Sequence, residues 1–213
     1  MRPIHKKPEP QSLTEHRCSP HADYDNYSGE DELRDALIAE QRGLCCYCMS
    51  RIHKDAMKIA HWHSQTGHPA EQLDYANLLG ACMGNKGRPK KEQHCDTHQE
   101  NENISINPAN RDHHQRIEQF IRYPPDGRIE SDDIQINHDL NDILNLNMAD
   151  LKNQRKSVLE GFQQALSRTQ PNHWTRPMLE RHLRLWSGES DGGDLKPFCQ
   201  VVIYWLRKRL MRM

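Results

Sequence analysis

The pattern of apolar and polar positions divides the chain into stretches of different character. Residues 1–28 are polar and hold four prolines, which predicts an extended arm with no core of its own, either disordered or docked on a neighbouring surface. Leu33, Ala36, Leu37 and Glu40 then recur at helical spacing, predicting a helix over 30–42 that Gly43 stops. Past the segment ISINPAN, the Pro-Asp-Gly of YPPDGRI is a turn signal between apolar neighbours. It predicts a hairpin that pairs Phe120–Tyr123 with Arg128–Ile129. From about residue 148 the pattern is helical, with Leu151, Val158, Leu159, Phe162 and Leu166 on one stripe. Thr175 is placed to cap a helix carrying Met178, Leu179, His182 and Trp186. A polar loop over Gly188–Gly193 precedes a last helix. That helix opens near Pro197, buries Phe198, Val201, Val202 and Trp205, and ends in basic residues. The expected fold class is α+β and mostly helical. Its parts are an arm (1–28), a chemically dense core (29–108) and a mainly helical region (109–213).

Composition changes this picture in two ways. Only 35% of the 213 residues are hydrophobic and the mean hydropathy is -0.99, and even with its 11 glycines the chain falls short of the about 45–50% apolar, glycine counted, of an average domain. So thin a core leads one to expect a metal or a partner protein to supply part of the stability. The 29 basic and 30 acidic residues leave a net charge of -1, so any surface that attracts a polyanion has to be local. No apolar run is long enough to span a bilayer, and no apolar stretch follows the charged start MRPIHKKPEPQ. A cytoplasmic location with reduced thiols is therefore expected, and no membrane partner.

Five of the seven cysteines fall between residues 45 and 95, which reads as a metal site before a disulfide framework. Cys45-x-x-Cys48 follows the predicted helix stop, a usual place for a zinc knuckle. Cys82 and Cys95 supply a second half, opened by the insertion GNKGRPKKEQH. Four thiolates close a tetrahedral structural Zn2+ site, and His94 or His98 could replace one of them. Cys46 is expected to point away as a small core residue, and Cys18 and Cys199 stand apart. A thioredoxin-like role for Cys45 and Cys48 would need a βαβ context that the following residues do not supply.

Between the two cysteine pairs lies KIAHWHSQ, and a strand there would put His61 and His63 on one face. Asn77 follows in DYANLLGAC, and Asp96 and His98 come just after Cys95. Hydrolysis of a phosphodiester needs a base for water, a divalent cation such as Mg2+ or Mn2+ to carry developing charge, and something to hold the base. A strand histidine can be the base, Asn77 can fix the loop through its amide, and a short helix behind Cys95 can offer a carboxylate or imidazole to the metal. The plainer roles are a packing histidine, a turn asparagine and Asp96 as a helix N-cap.

The order Cys-x-x-Cys, His-Trp, Asp-Tyr-x-Asn-Leu-Leu-x-x-Cys and His-Cys-Asp resembles the HNH endonuclease family. It is similar above all to the HNH subunit of Septu-type antiphage defence operons and their retron-linked relatives. The flanking segments AEQRGLCCYCMSRI, ISINPAN, YPPDGRI and LNLN share the likeness, over about two-thirds of the chain. The resemblance implies a zinc-stapled ββα-metal core with Cys45, Cys48, Cys82 and Cys95 as structural zinc ligands and His61 as general base. Asn77 takes the place of the central asparagine, and Asp96, with His98 as the alternative, that of a catalytic-metal ligand. It also implies an ABC-type ATPase partner with SMC-like features and, in retron versions, a reverse transcriptase with its DNA–RNA product.

The sequence departs from the family at Ala60, where an acidic metal ligand is usual, and at Ser64, where a proline is usual. Either His63 or His98 compensates, or the chain is a weak or inactive enzyme. Two readings therefore stand: a nuclease subunit acting on DNA or on structured RNA such as tRNA, and a non-catalytic zinc-stapled adaptor. A redox or zinc-buffering role is a third, which the spacing argues against. Lys86, Arg88, Lys90 and Lys91, inserted between two cysteines, form the basic loop expected to touch phosphate.

Overall fold

The arm holds more local structure than its composition predicts. In the computed structural model, which describes residues 1–169, 174–189 and 192–213, Pro10 leads into a short helix, α1 (Gln11–Arg17). Its only buried residue is Leu13, so there was no apolar period to read. The arm is docked rather than free, with Met1, Ile4, Leu13 and Tyr27 buried in the main core. The Ile4 N–H donates to the Pro108 carbonyl at 2.8 Å. Lys6 places its ammonium 3.9 Å from the Tyr75 ring centre and 2.7 Å from Glu40 Oε1, and the Tyr75 hydroxyl donates to Glu40 Oε2.

Helix α2 (Glu30–Gln41) forms where its stripe predicts, with Glu30, Asp31 and Glu32 at the positive end of the helix dipole. It ends as expected, at Arg42 in the left-handed region followed by Gly43. Strands β1 (Met57–His61) and β2 (Leu78–Cys82) pair antiparallel, from Met57 opposite Cys82 to His61 opposite Leu78. The buried Gln41 amide joins α2 to this hairpin, donating to the Leu44 and Gly80 carbonyls and accepting from the Gly80 N–H at 2.6 Å. A single helical turn, α3 (Asp96–Gln99), begins after Cys95.

Next come α4 (Arg111–Phe120), β3 (Ile121–Arg122), β4 (Glu130–Ser131) and α5 (Ile134–His138), the last running on into a π-turn over 139–143. The second hairpin exists but is shifted from its predicted pairing, because Asn147 takes both backbone groups of Ile129 out of the ladder. Phe120 falls inside α4 and is exposed.

Helices α6 (Ala149–Thr169), α7 (Arg176–Ser187) and α8 (Cys199–Leu210) complete an α+β fold that is about half helical, with two small antiparallel sheets. The predicted stripe on α6 is buried, with Val158 partly so, and Arg155 lies within it at 1% exposure. Its guanidinium is satisfied by carbonyls, donating to Gly127 at 2.6 Å and Leu146 at 2.8 Å. Thr175 occupies the N-cap of α7, but its side chain makes no capping hydrogen bond. Helix α8 buries Val201, Val202, Ile203 and Leu206, while Trp205 is only partly covered. Ser190 and Asp191 of the predicted polar loop lie outside the described residues. Among the described residues no helix is long and apolar enough to cross a membrane.

Candidate metal centre and histidine loop

The Cys-x-x-Cys pair sits in a tight turn closed by a bridge between Leu44 and Arg51. The Cys45 N–H donates to the Ser50 carbonyl, and Met49 takes a φ of 67° to make the bend. Cys82 ends β2, and Cys95 is the N-cap residue of α3, with its N–H held by the Leu144 carbonyl at 2.9 Å. The insertion between them is pinched at its neck, where the His94 N–H donates to the Gly84 carbonyl. Gly84 adopts a φ of 53°, and a Cβ there would stand 2.2 Å from the His94 carbonyl oxygen, so only glycine fits.

This architecture brings Cys45, Cys48, Cys82 and Cys95 together, with all four sulfurs within 4.8 Å of one another. The Cys48–Cys82 and Cys45–Cys95 separations are 3.7 and 3.9 Å. Four sulfurs each about 2.3 Å from one ion stand about 3.8 Å apart, so the cluster fits a tetrahedral metal ion. The electrostatics agree. Burial pushes Cys95 up, while hydrogen bonds from the neighbouring thiols outweigh burial at Cys45 and hold it well below the usual thiol range. A bound cation removes this competition for protons by taking all four ligands as thiolates. Cys46 is buried outside the group, as expected, and burial pushes its thiol up. His94 supports the cluster, its Nδ1 lying 3.2 Å from the Cys95 sulfur, while the Nδ1 of His98 is turned to the Ile143 carbonyl. Cys18 is exposed, and Cys199 is buried beside Arg2.

His61 is the last residue of β1. Its Nε2 lies 2.9 Å from the Gln72 carbonyl and its ring meets the edge of Tyr24 at 4.5 Å. A carbonyl can only accept, so Nε2 carries the proton and Nδ1 holds the lone pair. Burial lowers the pKa of this imidazole below the ordinary histidine value, against weaker upward pulls from the Gln72 carbonyl and the Asp96 carboxylate. His63 does not share the strand, which stops at His61; it sits in the turn beyond, so the two rings are not partners on one face. Asn77, 3% exposed, fixes that turn by accepting from the His63 N–H and donating to the carbonyls of His63 and Glu71.

Asp96 is the first residue of α3 rather than its N-cap, and its carboxylate is ion-paired with Lys58 of β1. Ala60, one alternation along the strand from Lys58, is completely buried. At the two positions where the resemblance implies catalytic-metal ligands, the chain thus offers a buried methyl group and a carboxylate already neutralised by an ammonium. In the basic loop Lys90 pairs with Glu100, whereas Lys86, Arg88 and Lys91 are exposed and have no ion pair among the described residues.

The sequence reading missed four residues at this site: Tyr24, Lys58, His68 and Glu71. Glu71 accepts from His63 Nδ1 at 2.7 Å, and the His68 ring stacks on His63 with 4.2 Å between ring centres. Their spacing follows neither helix nor strand period, so only the density of histidines near residue 61 pointed to them. The chain matches no protein-family model and no curated protein.

Proposed function

We propose that this chain is a metal-dependent nuclease subunit of the HNH type, working on DNA or structured RNA within an antiphage defence complex of the Septu or retron-linked kind. One observation carries the reading. His61 closes the first strand of a hairpin whose connection is fixed by Asn77, and a helix starts directly after the last of four clustered cysteines. Strand, strand and a helical turn in that order, with a histidine and an asparagine at those places, support the reading as a ββα-metal core. Zinc is the ion we assign to the four cysteines, because an all-thiolate tetrahedral set suits it.

His61 is suited to its role. Burial favours its neutral form, and the Gln72 carbonyl holds the ring by Nε2, which leaves Nδ1 as the atom that would take a proton from an attacking water. Ala60 and the Lys58–Asp96 pair do not form a hard-cation site as they stand, so no step is assigned to magnesium or manganese there. An ABC-type ATPase with SMC-like features, and in retron versions a reverse transcriptase, belong to the same proposal as partners.

The same two positions favour a second reading, a zinc-stapled adaptor that binds without cutting. The chain, purified with its co-expressed neighbour, is to be incubated with DNA and with tRNA in Mg2+, Mn2+ or EDTA. Cleavage that needs a divalent ion and disappears in His61→Ala, at unchanged zinc content, is the expected result. Binding without cleavage in any cation establishes the adaptor instead.

A further inference from the structure

We propose that His63, His68 and Glu71 form a second metal site, for a divalent transition ion such as zinc, manganese or cobalt, separate from the four cysteines and from the Asp96 position. One ligand atom from each of the three lies within 4.8 Å of the others. Glu71 bridges the pair, with Oε2 2.7 Å from His63 Nδ1 and Oε1 3.9 Å from His68 Nδ1. Imidazole nitrogen and carboxylate oxygen bind such ions at about 2.0–2.2 Å, which puts neighbouring ligand atoms roughly 3–3.5 Å apart. The two observed separations bracket that range. Two imidazoles and one carboxylate leave a coordination position open for water or a phosphate oxygen, and this donor mixture suits borderline ions better than magnesium.

The site is built on fixed backbone. Asn77 holds His63 and Glu71 through three hydrogen bonds. The turn between the histidines is closed by the His68 N–H on the Ser64 carbonyl and by the Gly67 N–H on Ser64 Oγ. The stacked rings must splay for both to face one ion, and His68, with 35% of its side chain exposed, has room to swing. On the other side His63 stacks on Trp62, 3.9 Å between ring centres. Trp62 and Glu71 also line a cleft with Asp74, Asn77, Asn110 and Arg111. The inference does not require the nuclease reading; a binding measurement alone decides it.

The test titrates the purified full chain with Co2+ and with Zn2+, and counts bound metal by elemental analysis after removal of excess ion. About two equivalents are expected, one with the thiolate-to-cobalt absorption of the cysteines and one without it. Co2+ in the second site should quench the emission of Trp62, one of four tryptophans, so the loss is partial. Glu71→Gln and His68→Ala change half-exposed side chains, and each should keep the thiolate signal while losing one equivalent and the quenching. If the parent stops at one equivalent, or both variants bind and quench as the parent does, the proposal is overturned. The His63–Glu71 contact is then an ordinary surface hydrogen bond.

Discussion

The side-chain amide of Asn77 holds His63 by both of its backbone groups, accepting from the N–H at 2.7 Å and donating to the carbonyl at 3.0 Å. A third bond, to the Glu71 carbonyl at 3.1 Å, ties down the far side of the same loop. At about 0.5–1.5 kcal/mol for each bond, Asn77→Ala should cost about 2–4 kcal/mol. Chemical denaturation measures this. A loss below about 1 kcal/mol would mean the loop is held by something else.

Acid should weaken the protein in part through His61. Burial lowers its folded pKa below the unfolded value of about 6.5, so the unfolded chain binds more protons as pH falls. Its contribution is present above about pH 6.5 and is lost as pH falls through the folded pKa. The melting temperature of His61→Gln should therefore fall less than that of the parent on acidification from neutral pH, and parallel curves would contradict the assignment.

Cys48→Ser removes one of the four sulfurs that could hold a metal ion. If they do, the variant should lose that metal, together with the thiolate-to-cobalt absorption and much of the cooperative unfolding. Structural zinc contributes on the order of 10 kcal/mol in small zinc domains. Full retention of metal in this variant would remove Cys48 from the ligand set.

Ala60→Glu places a carboxylate on the strand face that Lys58 uses to reach Asp96. With no cation present, a buried uncompensated charge costs roughly several kcal/mol, so the variant should melt low in EDTA. Mg2+ should raise its melting point and increase cleavage over the parent. Indifference to Mg2+ in both measurements would show that no cation binds there.

Three of the four basic side chains in the loop between Cys82 and Cys95 have no ion pair among the described residues; Lys90 is engaged with Glu100. Replacing Lys86, Arg88, Lys90 and Lys91 by serine should weaken binding to every nucleic-acid sequence about equally. The log–log salt slope should fall by roughly three units, about one per free cation. An unchanged slope would shift the contact to the basic end of α8, around Arg207, Lys208 and Arg209.

What could be read in advance depended on whether a residue's role left a period or a spacing behind. The cysteines did, because Cys45 and Cys48 form a close pair and Cys82 and Cys95 fall in the same short stretch of chain, and so did α2 and the stripe of α6. Arg155 sits on that stripe four residues from both Leu151 and Leu159, yet its charge hid it; a buried guanidinium is acceptable there only because the Gly127 and Leu146 carbonyls converge on it. The shift of the second hairpin depends on Asn147, far along the chain from the turn that signalled the strands. His68 and Glu71 meet His63 through a turn whose course is set by Asn77 and Ser64, and nothing in their spacing encodes that course.

The backbone around the cysteine turn is completed from the other end of the chain. The Leu195 N–H reaches the Arg42 carbonyl, the Phe198 N–H reaches the Met49 carbonyl, and Arg51 donates to the Leu195 carbonyl across 144 positions. Closing so long a loop is entropically costly and slow compared with forming a local turn. During synthesis Cys45, Cys48, Cys82 and Cys95 all leave the ribosome before the segment that latches over them exists. The four thiols can therefore meet, and could take up an ion, before the latch closes over them.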